Sequence, residues 1–387
     1  MAVATASGVV DTDAILADEK VVDMQNRFRL LTQDESQFMT ILNKLPSQQA
    51  IREKVNWLED DYFPNLTTLS ASATSAASQI EVATDTGAYF RVGDLARVGR
   101  SGEILEVTGI TTDSVGVTRS IGAIAAATAQ SGEDVLIVGN VSAQGADVGT
   151  LKVTTRVLGF NYTQISRHPF GFTGTQTVIE TYGPGDPENE IAKKLVEHKR
   201  SLENGCWVGG RAYDSSLSKG HMGGVVSEFI STNVTSAVGT LSLTALDGAL
   251  EDIFQNGSMN KVIFAAPTPA AALSRLLTDN WVRARPEDKV FGAKVNAFVN
   301  GAYGASVPVV TKREWGKEQA ANGQRGGWMV VLDLAYIKKR PLRDRGTRLL
   351  RNRQAPGLDS VTHEYLTEMS LEVAQEKCHG ILKGITG

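Results

Sequence analysis

VNWLEDDYFPNLTTLSASATSAASQIEV, residues 55–82, begins aromatic and acidic and ends small and polar. Trp57 is followed by three consecutive acids, Glu59, Asp60 and Asp61, and then by Tyr62-Phe63-Pro64. The Ser/Ala/Thr run from Ser70 to Ser78 carries no helix punctuation and comes after a proline, which predicts extended chain. TLKVTTRVLGFNYTQISRHPFGFTGT (150–175) is rich in Thr, Val, Phe and Tyr, residues that favour strands. We expect the two segments to run antiparallel as a long hairpin, with the chain between them inserted at its tip.

That inserted chain has a different texture. From about 80 to 142, short β-prone runs alternate with turn signals at Gly87, Gly93-Asp94, Ser101-Gly102 and Asp113-Ser114. Regularly spaced short strands predict a small barrel or sandwich.

On the N-terminal side, residues 1–18 are small and polar, and a helical pattern runs from about Lys20 to Leu45. Phe38, Ile41, Leu42 and Leu45 recur at helical spacing, and Pro46 stops the helix. On the C-terminal side, DPENEIAKKLVEHKRSLENGCWVGG (186–210) predicts a long helix. Asp186 is its N-cap, Pro187 its first residue, and Glu188 and Glu190 suit its positive end. Ile191, Leu195, His198, Leu202 and Cys206 share one face over about 30 Å. A second helix is expected over TALDGALEDIFQNG, opened by Thr244 and Asp247 and closed at Gly257. KVIFAA, VPVVT and GGWMVVLD alternate with helical segments, which makes 223–337 an α/β unit. The tail DSVTHEYLTEMSLEVAQ alternates with period two. Val361, His363, Tyr365, Thr367, Met369, Leu371 and Val373 share one face, and Glu364, Glu368 and Glu372 lie on the other. At ~3.3 Å per residue this is about 43 Å, one very long strand or two joined at a bend.

Composition excludes several classes. Of 387 residues 42% are hydrophobic and 21% charged, which suits a globular chain of two or three structural units. A net charge of −4 does not fit a dedicated nucleic-acid binder. Two cysteines, Cys206 and Cys378, make no disulfide framework and are expected to be buried thiols. The N-terminus lacks the charged and apolar regions of a signal peptide, and no run is long enough to span a membrane.

Catalytic signatures are missing. There is no phosphate-binding glycine loop, no dinucleotide fingerprint, no nucleophile elbow and no H-E-x-x-H; His363-Glu364 begins that last pattern, but Thr367 stands where the second His is needed. His168, His198 and His363 are expected to be structural, and Cys378-His379 has no second pair at metal spacing. The expectation is a chain that is not an enzyme and takes no cofactor or metal. One charge cluster stands out: KKRPLRDRGTRLLRNR (338–353) holds eight basic residues against Asp344. Three readings are open: a solvated face, phosphate neutralisation on nucleic acid, or an interface with an acidic patch on another copy.

The order of these elements carries a resemblance. PSQQAIREKVNWLEDDYFPNLTTLSA (46–71), FRVGDLARVGRSGEILEVT (90–108), GFNYTQISR (159–167) and EHKRSLENGCWVGG (197–210) resemble one subfamily of the major capsid proteins of tailed bacteriophages, which share the HK97 fold. The resemblance implies an α+β, HK97-type fold. It implies an N-terminal arm at 1–56, an extended loop at 57–80 and 143–178, and a β-rich domain inserted at 81–142. A peripheral domain follows at 179–222 and 338–387, with its spine helix at 187–209, and an axial domain at 223–337. It further implies a structural protein that self-assembles into an icosahedral shell around double-stranded DNA. Another phage structural protein, tail- or decoration-associated, is the alternative, and an enzyme with an unrecognised site comes after it. Partners would be hexamers and pentamers of the chain itself, a separate scaffolding protein, a portal and weakly contacted DNA. The location would be the virion, after synthesis in the bacterial cytoplasm.

On that reading the extended loop cannot bury its apolar residues alone, since a lone two-stranded ribbon is marginal in water. Trp57, Glu59, Asp60, Asp61, Tyr62 and Phe63 are then expected to contact a neighbouring copy. Lys338, Lys339, Arg340, Arg343, Arg345 and Arg348 are expected to receive the acids.

Overall fold

The structure, a computed structural model, describes residues 36–146, 149, 151–179, 186–236, 238–279, 285–290, 293–299, 306–321 and 323–387. The chain divides into two compact units, residues 58–158 and the remainder. The helical pattern expected between Lys20 and Ser36 falls outside the described residues, as does the stretch 180–185.

The larger unit is built on a seven-stranded mixed sheet. Its strand order is Val234–Thr235, Gly380–Leu382, Met329–Asp333, Lys261–Ala265, Ser306–Thr311, Ala293–Val299 and Arg285–Val290. Lys261–Ala265 and Met329–Asp333 are buried at every position, so both faces must be covered. Ile263, Ala265, Met329 and Val331 face the helices Leu243–Phe254 and Pro267–Asp279 through Leu246, Leu250, Ile253 and Leu273. Val262, Phe264, Val330 and Leu332 face the other way, into a core with Phe38, Leu42, Trp207 and Trp315. Phe38 comes from a short helix, Gln37–Lys44, whose apolar stripe is the one expected. The helix Leu243–Phe254 opens two residues earlier than expected. Ser242 is its cap, and its hydroxyl accepts from the Ala245 N–H, so Thr244 lies inside the first turn.

A second sheet gives the long tail strand its place. Ser360–Val373 is one unbroken strand of 14 residues. It pairs antiparallel with Gln164–Thr173 along one edge and with Ile337–Pro341 and Arg348–Leu350 along the other. The long helix, Asp186–Val208, packs on this sheet. His198 contacts Thr367, and the Tyr365 hydroxyl donates to the Ile191 carbonyl at 3.1 Å. The last strand, Gly380–Leu382, returns to the seven-stranded sheet, so the C-terminus belongs there and not with 338–373.

Strands Lys54–Glu59 and Val157–Tyr162 pair to form the expected ribbon. At its base Gly159 lies under the Trp57 indole, where an added Cβ would fall 2.3 Å from Nε1. Glycine is needed there for close approach and not for its backbone angles. Gly159→Ala is expected to cost about 1–3 kcal/mol by overpacking. An unchanged urea midpoint would show that Trp57 can move aside freely.

The smaller unit folds around its own core of Leu69, Ile80, Phe90, Leu105, Val115 and Val135. Six strands run in the order Leu66–Thr68, Asp134–Asn140, Asp94–Val98, Ile104–Thr111, Ser114–Thr118 and Gln79–Glu81. The two edges meet where Leu69 bridges Val82, closing the sheet into a small barrel. Irregularities at Leu95/Ala96 and Val107/Gly109 supply the bending that closure needs. The barrel therefore begins near Leu66, and the Ser70–Ser78 run, read from sequence as thin ribbon, is part of it. Ala73 pairs with Ala129, and the short Ser/Ala side chains let this crossing lie against the barrel. Inside, fully buried Glu103 takes both arms of the Arg119 guanidinium, while the N–H groups of Ser120 and Ala127 also donate to it. Burial raises the Glu103 pKa, but those donors outweigh it and hold the carboxyl below the usual glutamate range.

Candidate assembly surfaces

The long strand explains most of the basic cluster. Glu364, Glu368 and Glu372 stand four residues apart on it, each nearly buried. A buried carboxylate needs a cation and hydrogen bonds, and each of these has them. Glu364 receives Arg167 through two bonds of 3.1 and 2.9 Å, with Arg353 at 3.5 Å. Glu368 pairs with Arg345 and also accepts from the Thr163 hydroxyl. Glu372 takes Arg340 at 2.6 Å and Lys338 at 3.7 Å. The Arg167 hydrogen bonds hold the Glu364 carboxyl below its ordinary range against the opposing effect of burial.

These partners remove several residues from the expected intersubunit set. Lys338, Arg340 and Arg345 are engaged within the chain, and Lys339 donates to the Asn43 side chain at 2.7 Å. Trp57 is 9% exposed, packed 5.9 Å from the Phe229 ring, and presents nothing to a neighbour. Asp60 accepts from the Thr154 hydroxyl at 2.8 Å and lies 3.6 Å from Arg156. Glu59 and Phe63 are half-buried. Asp61, Tyr62, Arg343 and Arg348 remain exposed. The structure places Asp61 and Tyr62 in one unit and both arginines in the other, and gives no contact between them. The Glu364/Glu368/Glu372 ladder was missed from sequence because strand alternation put these acids on an apparently solvated face. The matching count of arginines downstream of 338 was the available signal.

Two further clusters lie in the interior of the larger unit. His168 and His198 share a 2.9 Å Nδ1–Nδ1 hydrogen bond, and His198 Nε2 is 2.7 Å from the Thr367 hydroxyl. Burial, then the neighbouring His168, push His198 down to about 4. Asp333 accepts from Ser258 N at 2.6 Å, Ser258 Oγ at 2.8 Å, Ala335 N at 3.0 Å and Lys261 Nζ at 3.3 Å. His379 Nδ1 accepts from the Asp333 N–H at 3.2 Å, and burial depresses its pKa to about 4. Both are packed, satisfied networks with no open space beside them for a substrate. Among the described residues no group of His, Cys, Asp and Glu is placed to hold a metal ion, and no helix is long and apolar enough to cross a membrane.

The geometry is therefore that of a scaffold with charged and apolar outer surfaces. Comparison with known proteins gives it a family. The model of the family described as SU10 major capsid protein matches residues 5–386. This chain belongs to the SU10 major capsid protein family.

As a member of that family it is a structural major capsid protein with an HK97-type fold. No curated protein matches it. Among solved structures, the capsid asymmetric unit of cyanophage A-1(L) is similar at a TM-score of 0.52 and 11% identity, over 97% of this chain and 99% of that one. The Microbacterium phage Oxtober96 chain gives 0.48 at 12% identity, over 96% and 97%. The capsid of Myoviridae phage XM1 gives 0.48 at 8% identity, over 98% and 99%. At such identities the A-1(L) likeness speaks for the fold, and the family match carries the role of the capsid protein.

Proposed function

We propose that many copies of this capsid protein form hexamers and pentamers that close into an icosahedral shell around double-stranded DNA. The family match over residues 5–386 carries this reading. In that role the chain performs no catalytic step. It is made in the bacterial cytoplasm, assembles with a separate scaffolding protein and a portal, and ends in the virion. Contact with the packaged DNA is weak, in keeping with a net charge of −4. The ribbon serves as the extended loop with the barrel as its insertion. The long helix and the long-strand sheet serve as the peripheral domain, and the seven-stranded sheet as the axial domain.

The test is electron microscopy and sedimentation of the purified chain, expressed alone and with a scaffolding protein. Shells or capsomers are expected; a chain that stays monomeric in both cases would overturn the reading. Within that shell, Asp61 on the ribbon is proposed to meet Arg343 or Arg348 of a neighbour. Asp61→Lys should leave the monomer folded and cut particle yield about tenfold or more, because like charges set face to face oppose docking. Adding Arg348→Glu or Arg343→Glu should restore yield. Normal shells from Asp61→Lys alone would remove the pairing.

A further inference from the structure

Residues Leu151–Thr155 run extended beside the barrel without a partner strand. Their alternate side chains have opposite fates. Lys152 Nζ donates to the Ala88 carbonyl at 2.7 Å, and the Thr154 hydroxyl donates to Asp60 at 2.8 Å. Those two side chains fasten the segment to its own unit. Leu151 and Val153, the residues between, point outward and are 85% and 87% exposed. None of the five residues makes a backbone–backbone hydrogen bond among the described residues.

An extended segment held in place on one face, apolar on the other and unpaired along its main chain is a template for another strand. Exposed apolar residues scattered singly are ordinary, but here they cluster. Leu58 and Tyr62, in the other arm of the same unit, are 65% and 92% exposed. Contiguous apolar surface of this kind marks an interaction site.

We propose that Leu151–Thr155 accepts an extended segment from a second copy of this chain, main chain to main chain, with Leu151 and Val153 packing against that copy. This rests on the shell reading above. Two observations favour a second copy as occupant. A capsid protein meets chiefly copies of itself, and this chain carries both an exposed acid beside the segment, Asp61, and exposed arginines elsewhere, Arg343 and Arg348. Strand addition also explains a feature that side-chain packing alone does not, namely the unsatisfied run of backbone donors and acceptors.

Hydrogen exchange on the unassembled chain and on shells tests it. In the unassembled chain the amides of 151–155 should exchange freely; in shells alternate amides should slow at least a hundredfold, as strand pairing predicts. Shells grown from mixed heavy- and light-isotope chains, carrying a photo-crosslinking residue in place of Val153, identify the occupant. Crosslinks between heavy and light chains are expected. Crosslinks confined to one isotope, meaning a chain's own segment, or crosslinks only to a scaffolding or other protein, would overturn the proposal. Val153→Pro removes one N–H at an exposed site, so the variant should fold and assemble poorly, whereas Val153→Thr should assemble. Shells that form normally with 151–155 unprotected would sink strand addition while leaving the shell reading intact. A wild-type chain that forms no shells would instead sink the shell reading.

Discussion

Asp333→Asn lowers the stability of the larger unit by roughly 3–5 kcal/mol, the expected cost of leaving a buried charge without its counter-ion. Lys261 is fully buried in the central strand of the seven-stranded sheet. Its ammonium also donates to the Asn256 carbonyl at 2.9 Å and the Cys378 carbonyl at 3.1 Å, but only Asp333 offsets its charge. The same carboxylate ties down Ser258, after the helix Leu243–Phe254, and Ala335. Removing its charge strands the lysine and weakens the junction of that helix, two strands and the C-terminal segment. A urea melt of the unassembled chain gives the number. Lys261→Met with Asp333→Asn should recover much of the loss, because the charge needing compensation is gone. A shift below about 1 kcal/mol for Asp333→Asn alone would show that Lys261 is not charged in the fold.

Acid is the second large perturbation. His198 and His379 are both held down to about 4 from an ordinary value of 6.5, chiefly by burial. A depressed histidine takes up its proton first in the unfolded chain. The stability it allows is therefore complete above about pH 6.5 and falls as the pH drops toward 4. At ~1.36 kcal/mol per pH unit, each site removes roughly 3 kcal/mol across that window. The carboxyls held low, Glu103 and Glu364, add their losses only further down, below their ordinary value of 4.5. Thermal melts of the unassembled chain at pH 7.5, 5.5 and 4.2 should fall steeply. His198→Asn should shallow that slope by about half while lowering stability at pH 7.5. A melting temperature that stays flat from pH 6.5 to 4 would mean that neither imidazole is protected from protons in the fold.

The parts of the fold legible in the sequence are those governed by local rules. The long helix announces itself through Pro187, the acids of its first turn and the 3.6-residue recurrence of Ile191, Leu195, His198, Leu202 and Cys206. The buried strands KVIFA and MVVLD read as continuous apolar runs. Where the ribbon ends and the barrel begins was not legible. The Ser/Ala run 70–78 has no apolar alternation, and its place is set by a long-range bridge, Ala73 to Ala129, which no local pattern encodes. The charged surfaces were half legible. Periodicity correctly separated Glu364, Glu368 and Glu372 from the apolar face of the long strand. It could not show that their face is also covered, by arginines that the sequence alone had assigned to a neighbour. Complementary charge is visible in a sequence; whether it is satisfied within one chain or between two depends on tertiary pairing.

The barrel has one more consequence. Its first strand starts at Leu66, and the Ile137 N–H of its last-leaving strand donates to the Asn65 carbonyl at 2.7 Å. The chain thus departs one strand spacing, about 5 Å, from where it arrived. An excursion whose two ends are clamped side by side is a natural graft point. Any independently folding module with adjacent termini can replace it without lengthening or twisting the arm beneath, so this lineage can exchange its ornament while keeping its chassis.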